Sequence, residues 1–184
     1  MELNGIDFDI VMRNALFGSS KDQKLLSDFF LSRNDYENAA RFLGHSSDNG
    51  DSESHNHLGL LYAHGLGVPQ NYEEAVNLFR RSANQGNMHG QNSLGTMYAN
   101  GYGVPKIYHE AFIWFTNSAN KGYCVAQNNL GTMYAKGWGV QQDYAKAAEW
   151  YGKAANQGFT PAKKALERIE ELMQSNSRHS SSKA

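Results

Sequence analysis

An internal repeat of 36 residues limits what this chain can fold into more than any other feature. The string Leu58-Gly59-Leu60-Leu61-Tyr62-Ala63-His64-Gly65-Leu66-Gly67-Val68 returns as Leu94-Gly95-Thr96-Met97-Tyr98-Ala99-Asn100-Gly101-Tyr102-Gly103-Val104, and again as Leu130-Gly131-Thr132-Met133-Tyr134-Ala135-Lys136-Gly137-Trp138-Gly139-Val140. A second block follows in constant register: Tyr72, Ala75, Phe79, Ala83 and Gly86, then Tyr108, Ala111, Phe115, Ala119 and Gly122, then Tyr144, Ala147, Tyr151, Ala155 and Gly158. A period of this length marks stacked units, none of which can bury its apolar face alone. One interval upstream, Asp35-Tyr36-Glu37-Asn38-Ala39 through Gly50 repeats the second block, with Phe42 and Leu43 in its apolar slots, while its partner, Gln23 to Ser32, is degenerate. One interval downstream, Ala162 and Leu166 keep apolar positions but Glu167 replaces the glycine, as a terminal cap would.

Each block has helical spacing: Leu58, Leu61 and Tyr62 in the first, Tyr72, Ala75, Leu78, Phe79 and Ser82 in the second. Two amphipathic helices per unit are therefore expected. Gly65, Gly101 and Gly137 sit where the first helix needs a left-handed residue to end it, and Gly86, Gly122 and Gly158 do the same for the second. Asn71 and Asp143 are predicted N-caps, and Ile107 leaves the middle repeat without one. Gly59, Gly95 and Gly131 lie inside a helix, at a cost of about 1 kcal/mol each relative to Ala. Their recurrence implies close approach of the paired helix, with Trp114, Phe115, Trp150 and Tyr151 packing over bare backbone. The chain reads as all-α: an N-terminal helix or cap at 1–21, a degenerate first repeat at 22–53, full repeats at 54–89, 90–125 and 126–161, a capping helix at 162–174 and a disordered Ser-rich tail at 175–184.

The run Ala-x3-Leu-Gly-x2-Tyr-x2-Gly-x-Gly-Val, then Asp-x2-Lys-Ala-x2-Trp-Tyr-x2-Ala-Ala-x2-Gly, is matched throughout by Ala126 to Gly158 and resembles the Sel-one-like repeat family, relatives of the tetratricopeptide repeats. The first two units depart modestly: Ser54 and Gly90 replace the leading Ala, Glu74 and Glu110 the Lys, and Ser82 and Ser118 the first Ala of the pair. The resemblance implies a right-handed α/α superhelix of antiparallel helix pairs that serves as an adaptor for other proteins. It also implies roles as different as quality control, signalling, host interaction and immunity against toxins, among which a shared fold does not choose.

Charge and composition exclude several classes. Lys+Arg 17 against Asp+Glu 18 gives a net charge of -1, so no basic field draws in nucleic acid. No apolar run is long enough to span a membrane. The N-terminal stretch carries Glu2, Asp7 and Asp9 where an export signal carries Lys or Arg, and Cys124 is the single cysteine, so a cytoplasmic location is expected. No cofactor or metal is expected: His55 and His57 point about 160° apart on a helix, and His57 to His64 spans two turns. Gly65-Leu66-Gly67 ends a helix where a phosphate loop would begin one. The pairs Arg80-Arg81 and Lys163-Lys164 are offset by Glu73, Glu74, Glu167, Glu170 and Glu171 and read as solvated helix faces. No nucleophile motif is present, and an enzyme is not expected.

A helical wheel puts Asn56, Leu60 and Ala63 about 160°, 200° and 140° from Leu58, with His64 at about 240°. This stripe should line the concave surface, where helical repeats bind. It reads Asn56, Leu60, Ala63 and His64; Asn92, Thr96, Ala99 and Asn100; Asn128, Thr132, Ala135 and Lys136. Three equivalent carboxamides could clamp an extended peptide, or each could be solvated or bonded to a neighbouring turn. Leu66, Tyr102 and Trp138, each between two glycines, offer a second surface or pack on the adjacent unit. The function expected is a protein-binding adaptor, monomeric, with another protein or a peptide as partner. The alternative is an inhibitor or immunity protein that blocks one toxin or enzyme.

Overall fold

The computed structural model describes residues 2, 3 and 6–181, with side chains for 7–175. Two short strands, β1 (Glu2–Leu3) and β2 (Ile6–Asp7), pair antiparallel, Glu2 opposite Asp7 and Leu3 opposite Ile6. The rest is helical and packs in sequential pairs: α1 (Phe8–Leu16), α2 (Ser20–Ser32), α3 (Tyr36–Asp48), α4 (Ser52–His64), α5 (Tyr72–Asn84), α6 (Met88–Asn100), α7 (Tyr108–Asn120), α8 (Cys124–Lys136), α9 (Tyr144–Asn156) and α10 (Thr160–Ser181). Two compact units are distinguished, residues 1–93 with 102–104, and residues 94–101 with 105–184.

In the first unit, Phe8 of α1 packs on Phe29 and Phe30, with ring centroids 5.4 and 6.4 Å away, and Phe30 stacks on Phe42 at 5.7 Å. These rings close the end of a core that continues through Leu26, Leu43, Leu58, Leu61 and Leu78. The helices α2 and α3 form a further pair ahead of α4. Gln23 Nε2 donates to the Ala15 carbonyl eight residues earlier at 3.0 Å, as Gln91 does to Ala83 at 3.4 Å. In place of the long loop between α4 and α5, only Arg33, Asn34 and Asp35 join α2 to α3, with Asn34 at φ 57 taking the left-handed turn. Loss of the Gly-x-Gly loop explains why the pattern faded at Gln23 to Ser32.

In the second unit, Ala111, Phe115, Ala126, Leu130 and Met133 form one cluster, and Ala147, Tyr151, Ala154, Ala162 and Ile169 form the next. Gln127 Nε2 donates to the Ala119 carbonyl at 3.3 Å, repeating the tie made by Gln23 and Gln91.

The expected local signals are present. Asn71 accepts from the Glu74 N–H at 3.0 Å and Asp143 from the Lys146 N–H at 2.9 Å, whereas Ile107 makes no side-chain cap. Gly137 ends α8 at φ 67, with its N–H bonded to the Met133 carbonyl. At Gly59, Gly95 and Gly131 an added β-carbon would meet the rings of Phe79, Phe115 and Tyr151 at 2.7, 2.8 and 2.8 Å. The aromatic rings packed over bare helix are therefore these three, all buried, while Trp114 and Trp150 are only half-buried. One boundary differs: α10 runs to Ser181, where irregular chain was expected from 175, because no Gly or Pro after Pro161 breaks it. Residues 182–184 of that tail lie outside the described residues.

Candidate functional site

The stripe on the first helices is only partly open. Asn56 is 4% exposed, and its carboxamide oxygen accepts a hydrogen bond from Ser93 Oγ of α6 at 3.0 Å. The expectation that it faces a peptide is corrected by this contact, because the next first helix covers the face about 160° from Leu58. Ala63 and Ala135 are buried, and Asn92 and Asn128 half-buried. The exposed members of the stripe are Leu60 and His64 on α4, Asn100 on α6 and Lys136 on α8, while Thr96 and Thr132 are half-buried like Asn92 and Asn128.

Within the second unit, Thr96, Asn100 and Thr132 come together with Asn129, Met133 and Trp138 around an open groove of about 150 Å³. Thr132 Oγ1 donates to the Asn128 carbonyl at 3.0 Å and lies 3.0 Å from Tyr151 Oη. Burial pushes the Tyr151 hydroxyl above its ordinary value of 10.0, with the Thr132 contact pulling the other way. The side chains that line the groove are uncharged. Lys136 lies instead on a second, larger groove with residues of α9 and α10.

The variable loop residues pack on the preceding repeat. Tyr102 stacks on Tyr72 at 5.0 Å and Trp138 on Tyr108 at 4.9 Å, yet they keep 46% and 39% of their surface exposed. Leu66 is half-buried against the first core. At Tyr102 and Trp138 one ring face is packed on the preceding repeat and the remainder is open. The recurrence of an aromatic residue between glycines was visible in the sequence, but its stacking partner was not.

His55 is buried and His57 half-buried. Among the described residues no three His, Cys, Asp or Glu side chains form a group able to hold a metal, and no helix is long and apolar enough to cross a membrane.

The family pattern described as the Sel1 repeat matches residues 52–87, 89–123 and 124–159. A search of the curated proteins found no match. Among solved structures, the chain is similar to a protective antigen present in uropathogenic Escherichia coli strains displaying an SLR fold, with 30% identity, a TM-score of 0.82, and coverage of 88% of this chain and 35% of the antigen. It is also similar to a Sel1 repeat protein from Oxalobacter formigenes, with 27% identity, a TM-score of 0.79, and coverage of 92% of this chain and 72% of that one. The chain thus spans about a third of the length of the antigen it matches.

Proposed function

This chain belongs to the Sel1 repeat family, and we propose that it is an interaction scaffold holding an extended segment of another protein across the last turns of α6 and α8. Repeats of this family generally mediate protein interactions. The observation that carries the reading is the groove beside Trp138. Thr96 and Thr132 occupy equivalent positions of successive repeats, and they line the groove together with Asn100 and the partly exposed Trp138. An aromatic residue already held on one face by Tyr108 loses little freedom when a partner covers the other. Neutral walls with hydroxyl and carboxamide groups suit a main chain, which offers alternating donors and acceptors.

Affinity capture from a soluble extract tests it, with native protein beside Asn100→Arg, which fills the groove, and Asn117→Arg, an exposed change on α7. Loss of the captured protein in the first variant and retention in the second is expected. Retention in both moves the interaction away from this groove. A single captured enzyme or toxin whose activity falls on binding would favour the inhibitor over the adaptor.

A further inference from the structure

The groove that holds Lys136 is built differently from the one beside Trp138. It lies within the second unit, encloses about 380 Å³ and takes its walls from α8, α9 and α10. Its floor is apolar: Ala135, Tyr151 and Ile169 are buried, while Leu172 leaves 41% of its surface open. Three cations, Lys136, Lys164 and Arg168, line it, and no carboxylate does. Among the described residues none of the three joins an ion pair. Glu167, Glu170 and Glu171 share α10 with two of them but do not line the groove. Lys164, Arg168 and Leu172 are spaced four residues apart and so form one stripe. The whole chain carries a net charge of -1, so this local concentration of positive charge is not a by-product of a basic sequence.

We propose that this groove takes an acidic, extended segment of a partner protein, with side-chain carboxylates on Lys136, Lys164 and Arg168 and an apolar side chain against Leu172 and Ile169. The proposal rests on the interaction reading above and names the chemistry of the partner. Three like charges around one depression, without a carboxylate in its wall, repel each other until an anionic ligand arrives. Nucleic acid would satisfy the cations but leave the apolar floor wet, and a purely apolar helix would cover the floor while desolvating unpaired charge. A segment that mixes acidic and apolar residues does neither. The Arg168 guanidinium can hold one carboxylate through two parallel hydrogen bonds.

The test is fluorescence anisotropy of a labelled peptide of alternating Glu and Leu, acetylated and amidated so that no terminal charge contributes. Saturable binding that weakens with added salt is expected for the native chain and for Lys163→Glu, which changes an exposed lysine outside the groove. The double variant Lys164→Glu, Arg168→Glu should bind at least about tenfold more weakly, and the neutral pair Lys164→Gln, Arg168→Gln should fall between. All three substituted residues, Lys163, Lys164 and Arg168, are exposed, and circular dichroism should show equal helicity. No binding by the native chain, equal binding of a Lys and Leu peptide, or undiminished binding by the double variant would overturn the proposal. So would binding that requires a free peptide carboxyl terminus, or displacement by a short single-stranded oligonucleotide. If the double variant still captures a partner that Asn100→Arg loses, while the acidic peptide fails to bind, this inference falls and the scaffold reading stands.

Discussion

The ring of Phe79 lies on the bare backbone of Gly59, where a β-carbon would sit 2.7 Å from Cε1. Phe79 is buried, so the ring has no free space into which to retreat. Gly59→Ala gains helix propensity of about 1 kcal/mol and loses more to overpacking, for a net destabilisation of about 1–2 kcal/mol. Gly44→Ala, in α3 with nothing within 4 Å of the new methyl group, should instead stabilise by about 0.5–1 kcal/mol. Urea denaturation of the two variants should move the midpoint in opposite directions with an unchanged slope.

Gly139 separates two effects. Its φ is 69, and a β-carbon would strike the backbone carbonyl of Tyr108, one repeat earlier. Gly158 has φ 83 but open space around it. Alanine at Gly158 should therefore cost only conformational strain, about 1 kcal/mol. Alanine at Gly139 should cost about 3 kcal/mol or more, because backbone cannot rotate away as a side chain can. It should also pull Trp138 off Tyr108, which a shift in tryptophan emission would report.

His55 stands where the other full repeats place Gln91 and Gln127, each donating to a carbonyl eight residues earlier. Its Nδ1 is buried and finds no partner among the described residues. Burial, then the Arg81 charge, holds the imidazole below its ordinary value of 6.5, while Asp51 and Asp48 pull the other way. The folded chain thus binds this proton less readily than the unfolded chain. Stability is full above 6.5 and falls as pH drops through that value toward the lower folded one. His55→Gln should flatten this decline between roughly pH 7.5 and pH 5, and add about 1 kcal/mol if the carboxamide reaches the Ser47 carbonyl. Thermal melts at the two pH values check both effects.

Ile107 begins α7 without a side-chain cap and is 42% exposed. Its equivalents Asn71 and Asp143 each accept a backbone N–H. Ile107→Asn should stabilise by about 1 kcal/mol, less the small burial that isoleucine gives up. A raised melting temperature, with slower amide exchange at Glu110, is the expected result.

Local features were legible in the sequence because they repeat. The helix pairs, the caps at Asn71 and Asp143, the missing cap at Ile107 and the left-handed Gly137 all depend on residues within a few positions of one another. The reason for Gly59, Gly95 and Gly131 could also be inferred, since a cost paid three times needs a neighbour in the same register.

What lay beyond the sequence depends on which helix covers which face. A wheel placed Asn56 away from its paired helix, and only the packed α6 shows that Ser93 claims its carboxamide. Lys164 was set among the glutamates of α10, and only the groove separates the lysine stripe from the acidic one. Periodicity along one helix determined which residues share a side, because side chains turn by a constant angle per residue. Whether that side meets water or another helix was decided by the tertiary structure, because stacking buries a face through residues tens of positions away in the chain.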